Sequence, residues 1–162
     1  MVGTKDTTFA PNATVTRAQL VQTLYAMEGK PDAGASAGFK DVVKGRYYVN
    51  AVNWAANNGI AAGYTNGKFG VNDPIKRQDL VAILYKYAKY KGYDTETSGD
   101  LSKFVDESSV SKYAVNGMEW AVGHNIISGI KSSGKIYAQP KESATRAQLA
   151  VFLKAFDTKV AN

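Results

Sequence analysis

The sequence predicts an all-α protein built from repeated helix-loop-helix units, and three observations carry that prediction. The stretches Thr16-Arg17-Ala18-Gln19-Leu20, Lys76-Arg77-Gln78-Asp79-Leu80 and Thr145-Arg146-Ala147-Gln148-Leu149 are versions of one motif. Each opens an apolar pattern at i, i+3, i+4 and i+7, the stripe of a half-buried helix: Leu20, Leu24 and Met27; Leu80, Ile83, Leu84 and Tyr87; Leu149, Phe152, Leu153 and Phe156. A second string also recurs. Phe39-Lys40-Asp41-Val42 matches Phe104-Val105-Asp106-Glu107, and Tyr47, Trp54, Ala55, Ile60 and Gly63 match Tyr113, Trp120, Ala121, Ile126 and Gly129. A fixed period of about 60 to 65 residues calls for a repeat reading before a single-domain one.

Taken in order, the first unit holds only its back half. Gly3 and Phe9 are spaced as Gly63 and Phe69 are, but no Phe-x-Asp or tryptophan helix stands ahead of Gly3. The chain is expected to begin within a repeat, giving units 1–30, 39–92 and 104–162. Thr16 reads as an N-cap and Gln19 as the residue that reaches back to it, a capping box that Thr145 and Gln148 repeat. Lys30 to Gly38 and Gly92 to Lys103 are small-residue or polar connectors. Helical patterns run from Tyr47 to Asn58, where Gly59 ends the first, and from Lys112 to Val122. The glycine-rich pieces Gly63 to Gly70 and Gly129 to Tyr137 are turns and short extended segments leading into the arginine helices. In the middle copy Lys76, Gln78 and Asp79 replace threonine, alanine and glutamine, so the cap hydroxyl is lost and an acid stands beside Arg77.

The three arginines need a reason. A cation in the first helical turn opposes the macrodipole at a cost of about 0.3 to 1 kcal/mol. Two readings stay open. Helix N–H groups and a guanidinium together suit a carboxylate or phosphate; alternatively, each arginine pairs with an internal Asp or Glu and ties repeats together.

Composition narrows the function classes. The net charge is +6 and the pI about 9.4, which favours an acidic partner: nucleic acid, acidic lipid or anionic polysaccharide. There is no cysteine, which excludes disulfides, thiol catalysis and Cys-bound metal. No apolar run approaches the roughly 18 residues of a membrane span, and Met1-Val2-Gly3 does not open a signal peptide. His124 is the only histidine and has no clustered ligands in sequence, so no metal is expected. Trp54 and Trp120 suit either a sugar face or the core, since both lie on the apolar side of their helices. The run Lys86 to Lys91 is basic and aromatic, but cations in a last helical turn also suit the macrodipole. No nucleotide loop or catalytic set is present, so neither an enzyme nor a cofactor is expected.

Phe-x-Asp-Val, the helix ending in Trp-Ala, the Gly-Lys-Phe turn and Thr-Arg-Ala-Gln together resemble the S-layer homology (SLH) family, across nearly the whole chain. That resemblance implies helical repeats packed around a pseudo-threefold axis with grooves between neighbours. It also implies a secreted module of the bacterial cell wall or surface, typically Gram-positive. Such a module binds a secondary cell-wall polysaccharide attached to peptidoglycan, often ending in a pyruvylated amino sugar. Carried over by motif, the polysaccharide-binding residues are Arg17, Arg77, Arg146, Asp41, Asp106, Trp54 and Trp120. The rival class is a protein-interaction or assembly module without polysaccharide binding; a nucleic-acid partner rests on charge alone and is not expected. The missing half-repeat is expected to leave Leu20, Leu24 and the face beside Gly3 uncovered, so that the chain loses stability or self-associates there.

Overall fold

Residues 9–161 are described by the computed structural model. Five α-helices carry the fold: α1 (Arg17–Met27), α2 (Val49–Asn57), α3 (Arg77–Lys91), α4 (Val115–Gly123) and α5 (Arg146–Lys159). The only sheet among these residues is a hairpin of β1 (Ile130–Ser132) and β2 (Lys135–Tyr137), antiparallel, with Ile130 opposite Tyr137. The architecture is therefore mainly α. α1 packs on α2 and α3 on α4. Gly117 allows the second approach, since a Cβ there would lie 3.1 Å from the Cα of Ala82.

The three arginine helices start from one place. Just ahead of each, an extended residue lies in a closed ring of backbone hydrogen bonds. The N–H of Val15 donates to Ala144 O (2.9 Å), that of Ala144 to Ile75 O (2.8 Å), and that of Ile75 back to Val15 O (2.8 Å). All three residues are buried. Thr14 and Thr145, Thr16 and Pro74, and Lys76 and Ser143 pair as antiparallel bridges around it. Buried N–H and C=O groups must be paired, and each segment finds its partners only in the other two repeats.

The capping boxes form at Thr16 with Gln19 and at Thr145 with Gln148, while Lys76 makes no side-chain cap. The stripes of α3 and α5 face inward: Leu80, Ile83, Leu84, Tyr87, Leu149, Phe152 and Phe156 are buried. Met27 is not, at 47% exposed. α2 starts at Val49 rather than Tyr47, and Lys112–Ala114 forms a separate 3-10 turn before α4.

One expectation needs correcting. Leu20 and Leu24 are fully buried beside α2, so α1 has no bare stripe there; Gly3 lies outside the described residues. The incompletely covered face is instead on α5. Val21 and Val81 are fully buried where α2 and α4 cover α1 and α3, but the matching Ala150 is only half-buried, as is Leu153, and Val151 is 62% exposed. Leu20 and Leu24 therefore give no support to self-association through α1.

The ends of α1 and α3 are clamped by Glu28. Its carboxylate accepts from the Tyr87 hydroxyl and lies 2.9 Å from Lys91 Nζ. Burial raises the Glu28 pKa, but the bonds from Tyr87 and Lys91 outweigh it and hold it below the ordinary value. Tyr87 is buried and loses its acceptor if the carboxylate goes. Glu28→Ala is expected to destabilise the fold by about 1 to 3 kcal/mol, the cost of an unsatisfied buried hydroxyl. Glu28→Gln, which keeps an acceptor, should cost less. Urea midpoints of the two variants check this; an alanine variant as stable as the parent contradicts the clamp.

Candidate functional site

Each arginine spans a joint between repeats. Arg17 Nε donates to Phe69 O (2.9 Å) and its Nη2 to Ala62 O (2.7 Å); Arg77 Nε donates to Ala138 O (3.0 Å), and Arg146 Nε to Phe9 O (2.8 Å). The acceptors Phe69, Ala138 and Phe9 each stand eight residues ahead of the neighbouring repeat's arginine (69 to 77, 138 to 146, 9 to 17). Aromatic rings cover the guanidinium groups: Tyr64 and Phe69 at 4.9 and 5.0 Å from Arg17, Phe152 at 5.2 Å from Arg77, and Phe9 at 4.9 Å from Arg146. The three arginines are 7%, 3% and 7% exposed. Burial pulls the Arg77 guanidinium below its ordinary value, with Asp106 opposing.

The helix N–H groups are engaged in the same joints. Arg17 N and Ala18 N donate to Asp73 O and Val71 O, Arg77 N and Gln78 N to Glu142 O and Pro140 O, and Arg146 N and Ala147 N to Ala13 O and Pro11 O. Neither sequence reading describes this fully. The arginines tie repeats together, but each does so through a backbone carbonyl of the next repeat.

The two aspartates grip the same loops from the other side. Asp41 accepts from the N–H groups of Phe69 (2.7 Å), Gly70 (2.8 Å) and Val71 (3.1 Å), and Asp106 from those of Ala138 and Gln139 (2.8 Å each). Phe69 and Ala138 are thus held by an aspartate at N–H and an arginine at C=O. The residue after each has positive φ: +80° at Gly70 and 50° at Gln139. At Gly70 a Cβ would also come within 2.6 Å of the Tyr64 ring, so only glycine fits without a shift.

Trp54 and Trp120 are 1% and 0% exposed. Their rings pack on Tyr25 and Tyr90 and on Tyr85 and Phe156, so neither has a face to offer a sugar, which corrects their placement in the binding set. The Trp120 indole N–H donates to Asp94 O (3.0 Å), and that of Trp54 is buried without a partner among the described residues. His124 faces Trp120 O and the Asp94 carboxylate.

What opens to solvent at the first joint is a groove of about 610 Å³. Tyr47, Tyr64, Arg46 and Lys68 line it, with Asp41, Asp73 and Asn72. Arg46 and Lys68 are exposed, and neither side chain has a hydrogen-bonding or ionic partner among the described residues. The Asp41 carboxylate is turned to its three N–H groups, and Asp73 bonds the Tyr64 hydroxyl. Tyr47 reaches Thr16, the α1 cap. Burial raises both phenols above their ordinary values, so they stay protonated donors near neutral pH. Two free cations and two hydroxylated rings suit a hydroxyl-rich anion. Arg46 and Tyr64 escaped the sequence reading because the third repeat has Lys112 and Ile130 in their places, so no period marks them.

Comparison with known proteins identifies the family. The S-layer homology domain model matches residues 1–21, 38–81 and 103–150. The chain is similar to a "Surface-layer 125 kDa protein" of Lysinibacillus sphaericus (31% identity over 143 residues, 88% of this chain and 12% of that protein). It is also similar to an "Amylopullulanase" of Thermoanaerobacterium thermosulfurigenes (33%, 99% of this chain and 8% of that protein) and an "Endoglucanase" of a Bacillus species (30%, 100% and 17%). The chain spans less than a fifth of the length of these relatives, and the enzymes match it only over that portion.

Asp41 makes the loop pH-dependent. Burial raises its pKa, but the three N–H bonds prevail and the folded value lies below the unfolded reference of 3.8. A depressed folded pKa contributes stability that is complete above the unfolded value and is lost as pH falls through the folded one. Asp41→Ala is expected to cost about 1 to 2 kcal/mol near neutral pH, as for loss of a helix cap. It should also flatten the acid limb of the melting-temperature profile below the unfolded pKa. Thermal melts across the acid range check both; an unchanged limb contradicts the role given to Asp41.

Proposed function

Because this chain belongs to the S-layer homology family, we propose that it is a non-covalent anchoring module that holds its parent protein on the bacterial cell wall. Its ligand is an anionic secondary cell-wall polysaccharide, taken up in grooves between repeats that are related by a pseudo-threefold axis. The observation that carries this reading is the open groove at the first joint, where, among the described residues, Arg46 and Lys68 have no hydrogen-bonding or ionic partner beside the phenols of Tyr47 and Tyr64. A carboxylate on a sugar ring meets charge-assisted bonds from the cations, and its hydroxyls meet the phenols. The surface-layer relative and the enzymes matched over a small part of their length support an attached module rather than a catalytic one. Among the described residues no helix is long and apolar enough to cross a membrane.

The residues divide by role. Arg17, Arg77, Arg146, Asp41 and Asp106 hold the groove walls in register, and the exposed groove residues meet the polymer. The protein is expected to sediment with Gram-positive wall sacculi and to stay in solution after acid extraction of the secondary polymer. The double change Arg46→Ala and Lys68→Ala should weaken binding by at least about tenfold, the loss of one charge-assisted contact or more, and leave the melting temperature unchanged. Arg17→Lys loses the planar fork that reaches two carbonyls and should lower the melting temperature first. Undiminished sedimentation with extracted sacculi contradicts polymer anchoring, and leaves assembly on protein.

A further inference from the structure

The first and second joints are built from matching positions but are finished differently. At the first joint Ala18 follows the arginine, and the groove beside Tyr47 is open. At the second joint Gln78 takes the place of Ala18 and is 1% exposed. Its amide N–H₂ donates to the Ser111 hydroxyl (3.1 Å) and to the Tyr113 hydroxyl (3.0 Å), and its carbonyl accepts from Ser111 N–H (3.0 Å). Tyr113, the counterpart of Tyr47, donates to the Asp79 carboxylate. Lys141, of the same repeat as Ser111, donates to the Ser111 hydroxyl. An unbroken chain of hydrogen bonds thus runs from Asp79 through Tyr113, Gln78 and Ser111 to Lys141. The Ser111 and Tyr113 hydroxyls are thus spent within the joint, while the exposed Lys112 and Lys135 stand where Arg46 and Lys68 do.

Charge acts in the same direction. Where the first and third helices carry Gln19 and Gln148, the second carries Asp79, whose carboxylate repels an anion. Tyr64, which lines the first groove, has Ile130 as its counterpart, so a phenol is also missing. Burial and Asp79 together push the Tyr113 phenol up to about 12, consistent with a hydroxyl committed to that carboxylate.

We propose that Gln78 and Asp79 seal the second joint, so that the module takes anionic sugar at the Arg17 joint and excludes it from the Arg77 joint. This rests on the anchoring function proposed above and adds which joint performs it. The seal also gives a structural use to the two residues that depart from the repeated motif: they exchange a binding groove for a rigid bridge between the second and third repeats.

The test is a site-resolved titration of the whole chain, following backbone amides by NMR. The probe is the methyl glycoside of a 4,6-O-pyruvylated N-acetylhexosamine, with the sugar lacking pyruvate as control. In the parent protein the amides of Tyr47 and Tyr64 should shift, and those of Ser111 and Tyr113 should stay still at tenfold higher probe. In a Lys76→Thr, Gln78→Ala, Asp79→Gln variant, which restores the motif of the other copies, Ser111 and Tyr113 should respond as well. Gln78→Ala alone replaces it if the triple variant melts below the assay temperature. Response at both joints of the parent, or silence of Ser111 and Tyr113 in the variant while Tyr47 and Tyr64 respond, overturns the seal and leaves anchoring standing. Silence at both joints in both proteins overturns the anchoring function and the seal with it.

Discussion

Three backbone hydrogen bonds, from Val15 to Ala144, Ala144 to Ile75 and Ile75 to Val15, impose the constraint on which the molecule depends. No repeat can satisfy these buried groups alone, and leaving one unpaired costs about 1 to 3 kcal/mol. The segments are some 60 residues apart, so the ring forms only when chain distant in sequence has been gathered and its closure entropy met. Once formed, it fixes where three helices begin. The arginines then sit two residues after the ring, and their distance to the neighbouring loops is set.

That geometry explains the unfavourable charge. A guanidinium in the first turn opposes the macrodipole, but here it is buried against aromatic rings and donates to carbonyls whose negative ends face it. The matching aspartate binds the N–H groups of the same loop. The loops of Phe69 and Ala138 are each held as a clasp with an anion on one side and a cation on the other, and the two charges are separated by the peptide backbone they polarise. The clasp positions repeat through the chain, as do the groove residues Tyr47 with Tyr113 and Lys68 with Lys135. Positions that differ between repeats, such as Arg46 with Lys112 and Tyr64 with Ile130, reach the groove surface. A common frame with unlike surfaces lets one fold carry joints of different use.

Much of the frame was legible before any coordinates. The capping boxes at Thr16 and Thr145 and their loss at Lys76 follow from side-chain chemistry within four residues, and the helical stripes follow from period. The arginine's partner was not legible, because every residue carries a carbonyl and sequence does not mark which one is used. For Trp54 and Trp120, position on an apolar stripe favoured the core over the ligand, and burial decides for the core. The half-covered face was sought on α1 because that helix lacks its preceding partner in sequence. In space α1 pairs with the following helix α2, and the half-covered face lies on α5. Adjacency in sequence and adjacency in the ring differ by one step.

The interlocking of the repeats is tested most directly by native-state hydrogen exchange at the amides of Val15, Ile75 and Ala144. If the ring is a single closure, none of the three can open without breaking contacts of the other two. All three should then exchange only through global unfolding, with one common free energy equal to that from denaturant unfolding. Three different protection levels, or exchange of any one through a local opening well below the global value, would show that the repeats stand independently and that the ring is a consequence of packing rather than its cause.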